Sequence, residues 1–334
     1  MLIIYPPTVH WDFMIARPQQ LMSAFSEQGD TVIFCEPGIH EEKKMKKIKD
    51  GLWLDYGAPL HQWAALTKET KRVLWISYPG NVSKIGNYNE DIIVYDVLDY
   101  PDDDFAAWKP YVQELLGKCH IVLTVSKPLF NHFKELHPNV HLVRNAVDYN
   151  FFANVTADEA PMDIKQICKP IVGFYGALAP WVDWQLIEEL AVRNPSVSFV
   201  LIGPTIAMKT ESLPKRPNIF FLGHKPYEQL PKYAVHFDVC MFPFKKTRMT
   251  SYVNPVKIYE YLALGKPVVA TDLPEILELS PHIYAAGNRE EFHGYLVGCL
   301  NNYDNNSVES RKKFALENTW AERVKQIKRI IGGY

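Results

Sequence analysis

Cysteine is scarce and dispersed. The five in 334 residues, Cys35, Cys119, Cys168, Cys240 and Cys299, contain no C-x-x-C pair. That spacing excludes a disulfide framework and a thiolate metal knuckle, and it fits a reduced, cytoplasmic protein. Long apolar runs are missing too: none reaches the roughly 20 residues needed to cross a bilayer. The opening Met1-Leu2-Ile3-Ile4-Tyr5-Pro6-Pro7 is too short for a signal peptide and lacks its basic leader. Net charge is only −2, which gives no reason to expect a nucleic-acid-binding face. Glycine-rich fingerprints are absent, since neither G-x-G-x-x-G nor G-K-[ST] occurs, so neither a dinucleotide fold nor a P-loop is supported.

What remains is a chain long enough, and at 47% hydrophobic apolar enough, for two cores. Apolar runs of strand length alternate with amphipathic runs of helix length, the pattern of βαβ units with parallel sheets. In the first half the expected strands are 2–5, 31–35, 73–77, 92–95, 121–125 and 140–143, with helices over 18–27, 105–118 and 127–136. Residues 150–169 are polar and contain Pro161, so they read as a linker. The second half restarts at Ile171, with strands over 171–174, 198–202, 219–222, 239–242 and 268–271. The run Lys43 to Lys49 is the one local charge excess. It reads as a solvated loop or helix face, or as a contact with an anionic membrane surface.

The segment from Asn254 to Ala270 carries the most chemistry. Asn254 suits an N-cap, Pro255 the first helical position and Gly265 the left-handed position after the last turn. Lys257 then falls in the first turn, where the macrodipole disfavours a cation, and a bound anion would make use of both. Glu260, three residues on, suits a ribose diol, or simply an ion pair with Lys257. The preceding loop adds Arg248, Thr250 and Ser251 at the same helix mouth. Gly173 and Gly176 close a strand, where small residues serve either packing or close ligand approach.

Other candidates lie at strand ends of the first half. Asp96 and Asp99 follow the strand at 92–95, as a general base or as loop caps. In the loop after the first strand, Arg17 can hold an acidic sugar or a phosphate and Trp11 can stack on a sugar ring, while His10 is an alternative base. Asp102-Asp103-Asp104 has the D-x-D spacing of a metal-diphosphate site, but helix capping explains acids at that position. No metal site is expected.

Taken in order, Val172-Gly173-Phe174-Tyr175-Gly176, Leu201-Ile202-Gly203-Pro204, Phe221-Leu222-Gly223-His224, the run Phe237 to Phe244 and the Lys257 segment resemble the two-domain glycosyltransferases of the GT-B fold. The similarity is strongest to family-4-like enzymes and a teichuronic acid glycosyltransferase group. Val125-Ser126-Lys127, Val143 to Asp148 and the W-D-x-x-x-x-R-P-Q-Q-L start at Trp11 match that group. The resemblance implies two Rossmann-like α/β domains facing across a cleft. Residues 1–152 would hold a carbohydrate or lipid-linked acceptor, and residues 153–317 a nucleotide-sugar donor, uridine-based as the family's usual donors are. A terminal helix over about 318–334 would return to the first domain. It implies no cofactor beyond the donor substrate, no nucleic acid, and peripheral contact at most with the inner face of a membrane. The implied donor set is Gly176, Arg248, Thr250, Ser251, Asn254, Val256, Lys257 and Glu260; Trp11 and Arg17 would contact the acceptor. Two departures matter. Tyr252 stands where retaining members carry the first glutamate of E-x7-E, and residues 177–183 lack the usual diphosphate-binding cations, so Lys257 must carry more of that charge. A short match to the inverting xanthan glucuronosyltransferase type favours Asp99 over Asp96 as base. A nucleotide-sugar epimerase and a catalytically silent sugar-nucleotide sensor remain alternatives of the same fold.

Overall fold

Leu2–Tyr5 (β1) is a run of four buried apolar residues, the composition of a parallel strand covered on both faces. It sits inside an eight-stranded sheet with Thr31–Cys35 (β2), Met45–Lys49 (β3), Leu52–Asp55 (β4), Arg72–Ile76 (β5), Ile92–Val97 (β6), Ile121–Thr124 (β7) and Val140–Leu142 (β8), in the order β3-β4-β2-β1-β5-β6-β7-β8. Only β3 runs antiparallel, against β4. The computed structural model describes residues 1–64, 66, 71–158, 160–301 and 305–333.

This sheet belongs to a first unit comprising Met1–Asn145, Tyr252–Asn254 and Trp320–Tyr334. Its last helix, Trp320–Gly332, buries Trp320, Val324, Ile327 and Ile331 and packs on the helix Arg17–Glu27. The second unit, Ala146–Ser251 with Pro255–Thr319, holds a wholly parallel six-stranded sheet. Its strands are Ile171–Tyr175 (β9), Ser198–Ile202 (β10), Ile219–Phe221 (β11), Val239–Phe242 (β12), Val268–Thr271 (β13) and Tyr284–Ala286 (β14), ordered β11-β10-β9-β12-β13-β14. In both sheets the order turns back beside the first strand, at β1/β5 and at β9/β12. Ligands of open parallel sheets bind beyond the carboxyl ends of strands at such points.

Three sequence expectations need correction. Beyond Lys43 and Lys44 the basic run is neither loop nor helix, because residues 45–49 pair with β4 as an edge strand, and Lys44, Lys47 and Lys49 form ion pairs with Glu42, Asp50 and Glu27. Residues 150–169 are not an extended linker, since Tyr149–Ala153 and Met162–Lys165 are helical and Phe152 and Ile164 join the second core. Asn254 does not cap the helix that follows. The helix Val256–Ala263 is entered through Pro255, whereas the Asn254 carboxamide accepts from Asn145 N at 2.9 Å and its carbonyl accepts from Asn145 Nδ2 at 2.5 Å.

One ion pair fixes the first unit's interior. Arg17, 2% exposed, grips Asp96, 1% exposed, with Nη2–Oδ1 at 2.8 Å and Nε–Oδ2 at 2.9 Å. Trp75 Nε1 donates to the same carboxylate at 3.2 Å. Removing one partner of such a pair strands a buried charge. Arg17→Ala should therefore lose about 3–5 kcal/mol of stability, measured by urea denaturation, and Arg17→Lys should recover little of it because the two-pronged geometry is lost.

Candidate functional site

In the second unit Lys257 occupies the second position of its helix, beyond the ends of β9 and β12. It is half-buried, and its Nζ lies 5.5–5.6 Å from the ring centres of Phe174, Phe242 and Phe244. Among the described residues it makes no hydrogen bond or ion pair. Burial pulls its pKa down to about 8, partly opposed by the Glu260 charge, and the three ring faces add an attraction of their own for the cation. Gly176 makes this placement possible. Its φ is +137°, and a Cβ there would stand 2.7 Å from Lys257 Cε and 3.1 Å from Nζ. The result is a half-buried ammonium at a helix N-terminus with no hydrogen-bonded or ion-paired anion among the described residues, which is the electrostatic requirement of a phosphate site.

Glu260 lies one turn deeper and is 3% exposed. Tyr175 Oη donates to its Oε2 at 2.6 Å and Tyr227 Oη to its Oε1 at 3.0 Å, while burial raises its pKa. Neither phenol was foreseen, since both lie far away in sequence. Val256 is half-buried at the first position of the helix. The hydroxyl residues of the preceding loop are engaged internally. Thr250 is fully buried and donates to Lys245 O at 2.6 Å, and Ser251 Oγ donates to Arg248 O at 2.5 Å. Lys245 and Lys246 donate to Pro180 O and Gly287 O, and Arg248 is exposed. Thr250 and Asn254 are thus withdrawn into the fold, and Asn254 falls in the first unit.

In the first unit Asp99 follows the carboxyl end of β6, half-buried, with no hydrogen bond or ion pair among the described residues. Burial raises its pKa to about 6, into the range where a carboxylate can take a proton near neutrality. Asp96, three residues earlier, is the opposite case. Saturated by Arg17 and Trp75, it is not available as a base, and Arg17 is equally unavailable to an acceptor. Next to Asp99, Tyr100 stacks on Tyr252 with ring centres 4.1 Å apart. Asp102 pairs with Lys109 at 2.8 Å, and the side chains of Asp103 and Asp104 lie outside the described residues.

The loop after β1 is held by Gln19, whose Nε2 donates to the carbonyls of His10, Trp11 and Phe13 at 3.2–3.4 Å. His10 is exposed, with Nδ1 2.9 Å from Oε2 of the buried Glu36, whose Oε1 accepts from Trp11 N at 2.8 Å. Trp11 is half-buried edge-on to Phe34. A carboxylate on Nδ1 fixes the tautomer that leaves Nε2 as acceptor. Among the described residues no three His, Cys, Asp or Glu side chains gather as a metal-ligand set, and no helix is long and apolar enough to cross a membrane.

Comparison with known proteins shows which chains this one is similar to. Residues 169–302 match the family described as Glycosyl transferases group 1. The chain is 30% identical over 285 residues to Bacillus subtilis (strain 168) TuaH, provisionally named a teichuronic acid biosynthesis glycosyltransferase, covering 78% of this chain and 71% of that protein. Among solved structures, Anabaena HepE in complex with UDP and glucose superposes with a TM-score of 0.72 at 14% identity, covering 100% of this chain and 99% of that one. Sucrose-phosphate synthase from Thermosynechococcus elongatus gives 0.74 at 11% identity, with the same coverage.

The depressed Lys257 pKa has a stability consequence whose sign is fixed. In the unfolded chain this lysine takes up its proton near 10.5, in the folded chain only near 8. Folding is therefore penalised fully below about 8, and the penalty fades as pH rises toward 10.5. Lys257→Met should stabilise the ligand-free chain most at pH 7 and progressively less between pH 8 and 10.5, as read from denaturation midpoints across that range.

Proposed function

Because this chain belongs to the group 1 glycosyltransferases and has the GT-B fold, we propose that it transfers a sugar from a UDP-sugar to an acceptor hydroxyl without a metal ion. Lys257 of the second unit neutralises the donor diphosphate and Asp99 of the first takes the acceptor proton. The observation that carries this reading is the half-buried, unpaired Lys257 ammonium at a helix N-terminus. A fixed cation meeting the leaving diphosphate stabilises charge as it develops, which is where catalysis gains most. The uridine assignment leans on the UDP in the HepE complex, and a role in cell-surface polysaccharide synthesis leans on the name of TuaH.

In the step proposed, Asp99 accepts the hydroxyl proton while the acceptor oxygen bonds to the anomeric carbon. The bond from that carbon to the diphosphate breaks, and UDP leaves with the electron pair. Such a displacement inverts the anomeric centre, so the product's configuration by NMR reports whether this route operates. His10 offers a second reading of the base, favoured by its 2.9 Å contact with Glu36.

Lys257→Ala should weaken UDP binding roughly 10- to 100-fold, the scale of a hydrogen bond to a charged group, and unchanged affinity by calorimetry would remove the phosphate assignment. UDP-sugar binding near pH 8 should also take up protons as the diphosphate raises the lysine pKa, read from calorimetry in buffers of differing ionisation enthalpy. Asp99→Asn should cut turnover by about 10²–10⁴-fold; if His10→Asn does so and Asp99→Asn does not, the base is His10. For the wild type, kcat/KM should fall below about pH 6, where Asp99 protonates, and above about pH 8, where Lys257 loses its charge.

A further inference from the structure

Within the first unit, at the carboxyl ends of β2 and β4, lies a cavity of about 430 Å³. Its volume falls in the range of small-molecule pockets, roughly 300–1,000 Å³. Trp63 and Tyr88, stacked at 5.5 Å and 5°, supply one aromatic wall, and Tyr56 a second. Glu36 and Asp55, both largely buried, supply carboxylate oxygens. His40 lies edge-on to Tyr56 at 4.9 Å, and its buried Nε2 has no hydrogen-bond partner.

We infer that this cavity binds an uncharged sugar ring, a unit of the acceptor glycan, between the aromatic walls and with its hydroxyls on Glu36, Asp55 and His40. The inference rests on the glycosyltransferase reading for the word acceptor, and on the cavity alone for the ligand's chemistry. Aromatic faces pack against the C–H faces of a pyranose. An ionised carboxylate can only accept hydrogen bonds, and a sugar hydroxyl is a donor. His40 Nε2, otherwise an unsatisfied buried group, gains a partner. Charge decides against acidic ligands. Two carboxylates face the space, Lys43 is the cation at its margin, and that lysine is exposed. A hexuronate or a phosphate would place its charge beside these two like-charged carboxylates.

Glu36 gives the cavity a second consequence. The same carboxylate that lines it holds His10 Nδ1 and Trp11 N, so an occupant bonded to Glu36 contacts the group that orients the β1 loop.

The test uses the intact chain and direct binding. Saturation-transfer NMR and ring-resonance shifts of His40 should report millimolar binding of methyl hexopyranosides or methyl N-acetylhexosaminides, and at least 10-fold weaker binding of methyl hexuronides. His40→Ala and Tyr56→Ala should each weaken the neutral glycoside about 10-fold while UDP affinity, measured on the same samples, confirms a folded protein. Equal binding of neutral and acidic glycosides, binding indifferent to both variants, or no binding of any neutral glycoside would overturn the inference. A chain that binds neutral glycosides through His40 and Tyr56 but does not bind UDP keeps the cavity and loses the transferase assignment. The converse keeps the transferase and loses the cavity.

Discussion

The first unit depends on the two-pronged ion pair between Arg17 and Asp96. Its guanidinium also reaches Arg144 O at 3.3 Å and Asn145 Oδ1 at 3.2 Å. Asn145 in turn holds Asn254, and Arg323 of the last helix donates to Arg144 O at 3.0 Å and Asn145 O at 3.3 Å. One desolvated charge pair thus ties together the loop after β1, the end of β6 and both late-sequence segments of the unit. A buried pair of this kind earns little net stability over apolar packing, but it fixes geometry because any rearrangement leaves a charge unpaired. Its geometric product is the position of the residues flanking it. His10 and Trp11 stand just before Arg17, and Asp99 three residues beyond Asp96.

The second unit uses charge in the opposite way. Lys257 is denied a partner and surrounded by rings, so its free energy is lowered most by an anion arriving from solution. Glu260, which would be the obvious partner one turn away, is held elsewhere by Tyr175 and Tyr227. Those two phenols keep the carboxylate from neutralising the lysine at close range. Gly176 contributes by absence, since any side chain there would displace Lys257. The combination suits a site that receives an anion and releases it again, because a pre-formed internal ion pair would compete with that anion.

How much of this could be read from residue order follows the range of the interaction. Strands and helices marked by local apolar period and by Gly or Pro were anticipated: β1, β2 and β9 to β13 lie close to their expected limits, and Gly265 has the left-handed φ of +75° that its position required. Lys257 was readable because a cation in a helix's first turn is a local anomaly. Asn254 was misread as a cap because its partner Asn145 is 109 residues away, and Arg17 was misread as a ligand group because Asp96 is 79 residues away. The edge strand β3 escaped notice because lysines at an edge oppose aggregation and carry no apolar alternation. The cavity escaped for a related reason, its lining coming from β2, β4, the helix Leu60–Ala64 and the loops between Pro7 and Tyr88, which share no motif.

Tyr252 connects these strands of argument. Where the family resemblance would place a glutamate, this chain has the ring of Tyr252 stacked flat on Tyr100, one residue from Asp99. A neutral ring there supplies apolar surface, which favours the neutral form of Asp99, and places no like charge beside it, which favours the ionised form; the raised pKa of Asp99 follows burial. Less water and no added hydrogen-bond donor favour its protonated form, and hence a pKa near 6 rather than 4.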